Sequence, residues 1–174
     1  MSLRRPLLLL VPVLALAGCT STPPANGPDQ TEPTADSTAE SVDGPAPTCA
    51  NVPAAVIKAN LNLTVGEPTP RTNGSTVTCE SRSADGALTV VIKFTTGEDK
   101  DSFARGRRAL DNGGQPTSDV PGLLDEAYVS STESGTTVTN SLVARKGSTT
   151  MAVAAAAPIE AEKSLVTKVL GGAG

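Results

Sequence analysis

The 174-residue sequence predicts a single α+β domain, in which about three helices pack on one face of an antiparallel sheet of about five strands. After residue 48, the spacing of apolar residues indicates a helix, two strands, a helix, three strands and a final helix, in that order. Short turn sequences that contain glycine separate consecutive strands. The length suits one such domain with extensions rather than two stacked domains.

The first predicted helix lies in the segment CANVPAAVIKANLNL, residues 49–63. Asn51 is predicted as its N-cap, and Pro53 falls in its first turn. One side of this helix collects the apolar residues Val52, Val56, Ile57 and Leu61. The folded domain is therefore predicted to begin at Cys49 and to extend over residues 49–174.

The first pair of strands is predicted in the segments STVTCESRS and ALTVVIKFT, residues 75–83 and 87–95. Asp85 and Gly86 between them form a good hairpin turn. The alternation in these segments predicts a shared apolar face made of Val77, Cys79, Leu88, Val90, Ile92 and Phe94.

A second helix is predicted over residues 98–111, with acidic residues at its start and with Asp101 spaced to pair with Arg105. Three more strands are predicted in the segments EAYVSST, TTVTNSLVAR and STTMAVAAA. The strand assignment of residues 152–157 rests on hairpin context, because alanine itself prefers helix. Pro158 begins a last helix whose inward side is predicted to carry Ala161, Leu165, Val166, Val169 and Leu170.

The composition argues against several classes of function. The chain contains no histidine, so the commonest general base and the commonest metal ligand are both absent. Aromatic residues make up 2% of the chain, which provides no platform for stacking bases or sugars. From residue 49 onward, 13 acidic residues face 12 basic ones, so the domain has no basic surface typical of nucleic-acid binding. We therefore expect no nucleic-acid partner, no metal and no cofactor.

The N-terminal segment has the pattern of a bacterial lipoprotein signal. Arg4 and Arg5 precede an apolar run that is too short to span a bilayer and that ends in LAG directly before Cys19. This ending matches the lipobox, so residues 1–18 are predicted to be cleaved. Cys19 would then become an acylated N-terminus, with fatty-acid chains such as palmitate inserted in the membrane. The alternative is a cysteine that happens to follow an ordinary secretory signal.

Residues 19–48 are predicted to be a disordered linker behind the lipid anchor. From residue 20 onward this tract contains Val42 as its only branched apolar residue, together with five acidic residues and no basic one. Such a composition cannot bury enough apolar surface to offset the entropy of ordering. The linker would hold the domain at the extracytoplasmic face of the cell membrane. A binding motif or a glycan acceptor among its threonines and prolines is the alternative.

Two further cysteines, Cys49 and Cys79, lie in the predicted domain. In an exported domain such a pair is expected to form a disulfide. Metal binding would require more ligands than two thiols, and catalysis by either thiol would lack a histidine partner.

These features together resemble a family of small actinobacterial lipoproteins that is defined only as a domain of unknown function. The resemblance rests on the lipobox, the acidic linker, Cys49, Cys79 and the segment VPGLLDEAY at residues 120–128. In the family that segment usually reads Gly-Leu-Gly-Asp-Glu-Ala, whereas this chain has Leu124 in place of the second glycine. A tryptophan common after the second cysteine is also absent here. The resemblance implies an extracytoplasmic domain of helices and sheet, and it implies no activity, cofactor or catalytic residue.

Two charged groups were considered as catalytic or binding residues. Asp125 and Glu126 are adjacent, and neighbours on a strand point to opposite faces, so a turn or strand-start role is favoured over paired catalysis. Arg105, Arg107 and Arg108 could bind an anion, but a solvated helix surface is favoured because no phosphate-binding loop accompanies them.

No catalytic motif accompanies the predicted fold, so the sequence favours a non-enzymatic binding or docking module of the cell envelope. One alternative is a carrier of a small apolar or lipid ligand held between the alanine-rich strand and the last helix, where small side chains leave room. Close packing of that helix on the sheet is the other reading of the same alanines. An envelope hydrolase is a minority alternative.

Overall fold

The computed structural model describes residues 46–172. The predicted signal peptide, the lipidated Cys19 and the linker up to residue 45 lie outside the described residues. Within the described residues, the first element of regular structure begins at Cys49.

Seven antiparallel strands form one sheet. Their order across the sheet is β1-β2-β3-β7-β6-β5-β4. The strands are β1 Thr69–Asn73, β2 Thr76–Arg82, β3 Thr89–Thr96, β4 Thr117–Asp119, β5 Glu126–Ser134, β6 Thr137–Lys146 and β7 Thr149–Ala155.

The sequence predicts five of these strands, and the two that it missed are the edge strands β1 and β4. All five residues of β1 are exposed, and Pro70 lies among them. β4 is three residues long and contributes no buried side chain. Edge strands of this kind carry no alternation of apolar and polar residues, so the pattern that reveals the inner strands is absent from them.

Three α-helices accompany the sheet: α1 Ala54–Leu61, α2 Lys100–Asn112 and α3 Ile159–Val166. A 3₁₀ turn, Cys49–Asn51, precedes α1, and a π-helical turn, Thr167–Gly171, continues α3. None of the helices between residues 46 and 172 has the length and the apolar content needed to cross a membrane.

The predicted N-cap at Asn51 is wrong. Asn51 ends the 3₁₀ turn, and its side chain accepts a hydrogen bond from the backbone N–H of Thr48, which caps that turn. The N-cap position of α1 is Pro53, whose extended backbone (ψ 163°) places the first helical residue at Ala54. The predicted pairing of Asp101 with Arg105 is also not observed, because the Arg105 guanidinium donates to Ser102 Oγ at 2.7 Å.

One face of the sheet forms the hydrophobic core together with α1 and α3. Alternate residues of the inner strands point into it, as the sequence predicted for β2 and β3. The strand residues of this face include Cys79, Val90, Ile92, Phe94, Leu142, Ala144, Met151, Val153 and Ala155. The helices α1 and α3 cover this face and contribute Ile57, Leu61, Leu165 and Val166 to the core.

The helix α2 packs on the opposite face, so the prediction of all helices on one face is wrong. Tyr128 of β5 points away from the core, because its strand neighbour Ala127 points into it. The Phe103 ring of α2 lies 5.1 Å from the Tyr128 ring, centroid to centroid, and neither ring belongs to the main core. Phe103 is the one buried apolar residue of α2, so this helix covers only part of the second face.

The predicted disulfide between Cys49 and Cys79 is confirmed, with the two Cα atoms 5.5 Å apart. It joins the 3₁₀ turn to β2 across 30 residues of sequence. Cys79 is buried in the core, whereas Cys49 is partly exposed at its edge. The disulfide therefore fastens the segment that precedes α1 to the sheet.

A carboxyl group lies inside the core, which the sequence analysis did not foresee. Glu162 of α3 is 0% exposed, and neither of its carboxyl oxygens has a hydrogen-bond partner within residues 46–172. Burial raises the pKa of Glu162 to about 8. The backbone N–H groups of Leu142 and Ala155 lower the pKa of Glu162 and so offset part of this rise. Neither N–H group forms a hydrogen bond with the carboxyl. Glu162 is therefore protonated in the folded protein at neutral pH.

Candidate functional site

A groove of about 300 Å³ lies between α2 and the second face of the sheet, and we call it the α2 groove. Its floor consists of side chains that alternate with the core residues along β3, β6 and β7. The floor residues are Lys93, Thr95, Ser141, Val143, Thr150 and Ala152. The groove therefore arises from the half of the strand pattern that the core does not use.

The floor is ordered in rows by the strand register. Lys93 pairs with Ala152, Ala152 with Val143 and Val143 with Tyr128, so these four residues cross the sheet in one line. Thr95 and Thr150 are partners in the next row of the same face. A basic group, a stretch of apolar surface and a pair of hydroxyls thus lie side by side on the floor.

One side of α2 forms the wall of the groove. Ser102, Phe103, Gly106 and Leu110 share this side because they follow the helical spacing of three or four residues. Gly106 leaves space above Tyr128, since a Cβ at this position would lie 3.7 Å from the phenol oxygen. Glu98 lines the groove just before the helix begins.

The Thr150 hydroxyl is the most informative atom in the α2 groove. Thr150 is 7% exposed, and its Oγ1 has no hydrogen-bond partner within the described residues. A buried hydroxyl without a partner costs about 1–3 kcal/mol, so native structures rarely contain one without a reason. Thr150 is also one of the residues that line the α2 groove, where a ligand could supply the missing partner.

The α2 groove also carries two charges of opposite sign. Lys93 and Glu98 line it, and neither forms an ion pair with any residue that the structure describes. Burial raises the pKa of the Tyr128 phenol, and the negative charge of Glu98 raises it further. Glu98 is thus close enough to the Tyr128 phenol to affect its pKa.

Arg107 holds the wall against the sheet. Its guanidinium pairs with Asp119, donates to Thr117 Oγ1 at 2.9 Å and lies 5.9 Å from the centre of the Tyr128 ring. The structure gives contacts for two of the three arginines that the sequence offered as anion ligands. Arg107 has this structural role, and Arg105 is hydrogen-bonded to Ser102 on the same helix.

Asp125 and Glu126 both contact Arg145, so the expectation that they diverge is wrong. Glu126 accepts a hydrogen bond from Arg145 Nε at 2.7 Å, and Asp125 lies 3.6 Å from Arg145 Nη1. The strand begins at Glu126, so strand alternation does not fix the direction of Asp125. Asp125 also accepts from the backbone N–H of Gly147 at 2.7 Å, so its side chain contacts the turn between β6 and β7.

A second cavity, of about 360 Å³, lies near β1 and is lined by Gly66, Glu67, Thr69, Arg71, Glu80 and Arg82. Its charged groups are largely engaged within the protein. Glu80 pairs with Arg82, and Glu67 accepts a hydrogen bond from the backbone N–H of Ala54 at the start of α1. No buried polar atom without a partner lines this cavity in the described residues, so the α2 groove is the stronger candidate.

The space between the alanine-rich strand and the last helix is occupied by core. Ala155 is 0% exposed and Ala157 is 5% exposed, and both pack in the same cluster as Leu165 and Val166. Ala152, by contrast, points to the other face and lines the α2 groove. The alanines of this strand therefore allow close helix packing on one face and leave room on the other.

The sequence analysis did not identify the residues of the α2 groove. Its floor side chains occupy the positions between apolar residues, where polar residues ordinarily face solvent. Within residues 46–172, no three cysteine, aspartate or glutamate side chains lie close enough together to hold a metal ion. Comparisons of the chain with protein-family models, with curated proteins and with solved structures find no match.

Proposed function

We propose that the protein is a cell-envelope lipoprotein, anchored through Cys19, whose domain binds a small ligand in the α2 groove without catalysing a reaction. The observation that carries this proposal is the buried hydroxyl of Thr150, a residue that lines the groove, because this hydroxyl has no hydrogen-bond partner within residues 46–172. The mixture of apolar surface, hydroxyls and two unpaired charges fits recognition of an amphipathic molecule.

Binding is favoured over hydrolysis because the groove brings together no activated nucleophile. Its hydroxyls belong to Thr95, Ser102, Ser141, Thr150 and Tyr128. Ser102 Oγ accepts a hydrogen bond from Arg105, which does not act as a base at neutral pH. Neither Lys93 nor Glu98 is hydrogen-bonded to a hydroxyl in the described structure. The envelope hydrolase therefore stays the weaker alternative.

Docking of an envelope protein is the second candidate function. It would be favoured by a continuous exposed apolar surface. Among residues 46–172, Val138 is the only large apolar residue that is exposed, at 48%, and it lies on β6 outside the α2 groove. A single such residue supports small-ligand binding better than docking.

Membership of the lipoprotein family that the sequence resembles is part of this proposal. Leu124, which stands where that family usually has glycine, adopts the left-handed backbone conformation with φ 54°. This conformation costs a non-glycine residue about 1–2 kcal/mol, whereas glycine adopts it freely. The backbone at this position thus suits a glycine, which supports the resemblance, and packing of Leu124 against the core offsets part of the cost here.

The binding proposal is tested by replacing Thr150 with valine, which removes the hydroxyl and keeps the shape of the side chain. We expect the empty protein to be stabilised by about 1 kcal/mol, because a buried unpaired hydroxyl is lost. Native mass spectrometry of the mature protein from its host should show a bound small molecule in the wild type and less of it in Thr150→Val.

Ser81→Ala is the matched control, because Ser81 is 1% exposed and its hydroxyl also lacks a partner, but it does not line the groove. This variant should gain stability and keep the ligand. Equal ligand content in all three proteins, or its equal absence, would argue against the α2 groove as a binding site.

Anchoring is tested separately at Cys19. A fatty-acid probe fed to the host should label the wild-type protein, and the Cys19→Ser variant should lose the label and appear in the soluble fraction. Cys49→Ser serves as the control, since its thiol is occupied by the disulfide. Label that persists in Cys19→Ser would contradict the proposed anchor.

A further inference from the structure

We propose that the ligand of the α2 groove is a short apolar zwitterion, namely a free amino acid or a dipeptide, whose carboxylate lies near Lys93 and whose ammonium lies near Glu98. This inference rests on the proposed function, because it assigns a chemical class to the ligand of the same groove. Three features of the lining support it: the two charges, the apolar surface and the hydroxyls.

The charges argue for a ligand that carries both signs. Lys93 and Glu98 both line the α2 groove and neither is paired within the described residues. A simple anion would be attracted by Lys93 and repelled by Glu98, and a simple cation would meet the reverse. A zwitterion satisfies both groups, and it discriminates against molecules that carry only one charge.

The two charged residues also stand apart along the chain. Lys93 lies within β3, whereas Glu98 follows the end of that strand, and the two side chains do not form an ion pair with each other. Each charge can therefore pair with an opposite charge of a ligand. Free amino acids and dipeptides both have a carboxylate and an ammonium held apart by a short spacer.

The apolar part of the lining would hold the side chains of the ligand. Val143 and Ala152 provide apolar floor, and Phe103 and Leu110 provide apolar wall. The volume of about 300 Å³ is at the lower end of the range for small-molecule sites. It suits one or two amino-acid residues better than a lipid with long acyl chains.

The threonine pair lies beside Lys93, on the side of Glu98. Thr150 and Thr95 are direct neighbours across β7 and β3, and Lys93 lies two residues before Thr95 on the same face of β3. The unpartnered Thr150 hydroxyl can donate to a carboxylate or to a peptide carbonyl. A ligand whose carboxylate lies between Lys93 and this threonine pair would meet a cation and a hydroxyl donor together.

The test uses L-leucyl-L-alanine, L-leucine and two analogues of the dipeptide that each lack one charge. N-acetyl-L-leucyl-L-alanine has no ammonium, and L-leucyl-L-alaninamide has no carboxylate. Dissociation constants for the wild-type mature protein are measured by NMR titration of backbone amides. We expect the dipeptide or leucine to bind about three- to tenfold more tightly than either analogue, because charge pairs at a partly exposed site contribute modestly. The tighter of the two zwitterions reports the size of the ligand.

Charge variants then assign each contact. Glu98→Gln should weaken binding of the zwitterion. The dissociation constants of this variant for the zwitterion and for the acetylated analogue should be similar. The Lys93→Met variant should likewise bind the zwitterion no more tightly than the amide analogue. Non-additivity of this kind shows that the protein charge and the ligand charge interact directly. Lys58→Met and Glu160→Gln are matched controls on α1 and α3, remote from the groove, and should leave all dissociation constants unchanged.

The outcomes separate this inference from the proposed function. Equal binding of the zwitterion and its analogues, or binding that Glu98→Gln and Lys93→Met do not alter, would overturn the zwitterion. The proposed function would survive that result if Thr150→Val still weakened binding of the analogues. Absence of binding by all four probes would also overturn the zwitterion assignment. Whether the α2 groove binds any ligand is tested independently by native mass spectrometry of the host-derived protein.

Discussion

Replacing Glu162 with glutamine is expected to stabilise the protein against unfolding at pH 9 by roughly 4 kcal/mol, and to change its stability at pH 4 by no more than about 1 kcal/mol. The reason is the position of this carboxyl in the core, where it is 0% exposed and has no hydrogen-bond partner within residues 46–172. Glutamine is close in shape to the protonated acid and carries no charge at any of these pH values.

The sign follows from the two pKa values. The folded protein holds the Glu162 proton up to about pH 8, whereas the unfolded chain releases it near the ordinary value of 4.5. Below pH 4.5 both states are protonated, so Glu162 causes no pH dependence. Between pH 4.5 and pH 8, ionisation of Glu162 lowers the free energy of the unfolded state but not that of the folded state. The free energy of unfolding therefore falls as pH rises. Above pH 8 the loss is complete.

Urea unfolding of wild type and Glu162→Gln at pH 4, 6, 7 and 9 measures this difference directly. Glu160→Gln is the control on the same helix, because the Glu160 side chain is 82% exposed and pairs only with Lys163 at the surface. Its curve of stability against pH should run parallel to that of the wild type. A parallel curve for Glu162→Gln as well would show that the carboxyl finds water or a partner in the folded protein.

Removing the Cys49–Cys79 disulfide is expected to lower the free energy of unfolding by about 3–4 kcal/mol, from the loop entropy of a 30-residue separation. The double variant Cys49→Ala/Cys79→Ala is preferred over a single variant, since it leaves no free thiol in the core. Unfolding in urea at pH 5, where Glu162 is protonated in the folded state, isolates this effect from the ionisation of the buried acid.

Chemical reduction of the wild type provides the comparison for this variant. Reduced wild type and the double variant should have similar stabilities, because both lose the same constraint on the unfolded chain. Wild-type protein that has not been reduced should not react with an alkylating reagent at Cys49 or Cys79. Alkylation of both cysteines in that protein would contradict the disulfide. Equal stability of oxidised and reduced protein would show that the link does not constrain the unfolded chain.

Much of the fold could be predicted because its inner strands and helices carry strong apolar patterns. Ile92 and Phe94 alternate with polar residues, and Asp85 with Gly86 marks the hairpin between β2 and β3. The strand prediction for the alanine-rich run is confirmed as far as Ala155, the last residue of β7. Pairing of β7 with β3 and β6 outweighs the helix preference of alanine there. Local signals and tertiary context agree at these positions.

The elements that could not be predicted lack such signals. The edge strand β1 has no buried residue, and the placement of α2 depends on tertiary contacts of Phe103 and Arg107 with the sheet. Glu162 lies three residues before Leu165 on the inward side of α3, but a charged residue at that spacing ordinarily marks a solvent-facing position. The α2 groove joins residues from β3, β6, β7 and α2, so no single stretch of sequence displays it.

The pairing of β3 with β7 has a consequence for how the chain folds. It is the only ladder in the described sheet that joins the group β1–β3 to the group β4–β7, and its partners, such as Phe94 and Met151, are far apart in sequence. The other ladders connect consecutive strands, most of them through short turns, and their contacts are local. We therefore expect the two groups of strands to form independently and the pairing of β3 with β7 to be the slow step of folding. During synthesis, this pairing can form only after β7 has emerged, so the edge of β3 is open to wrong partners until then.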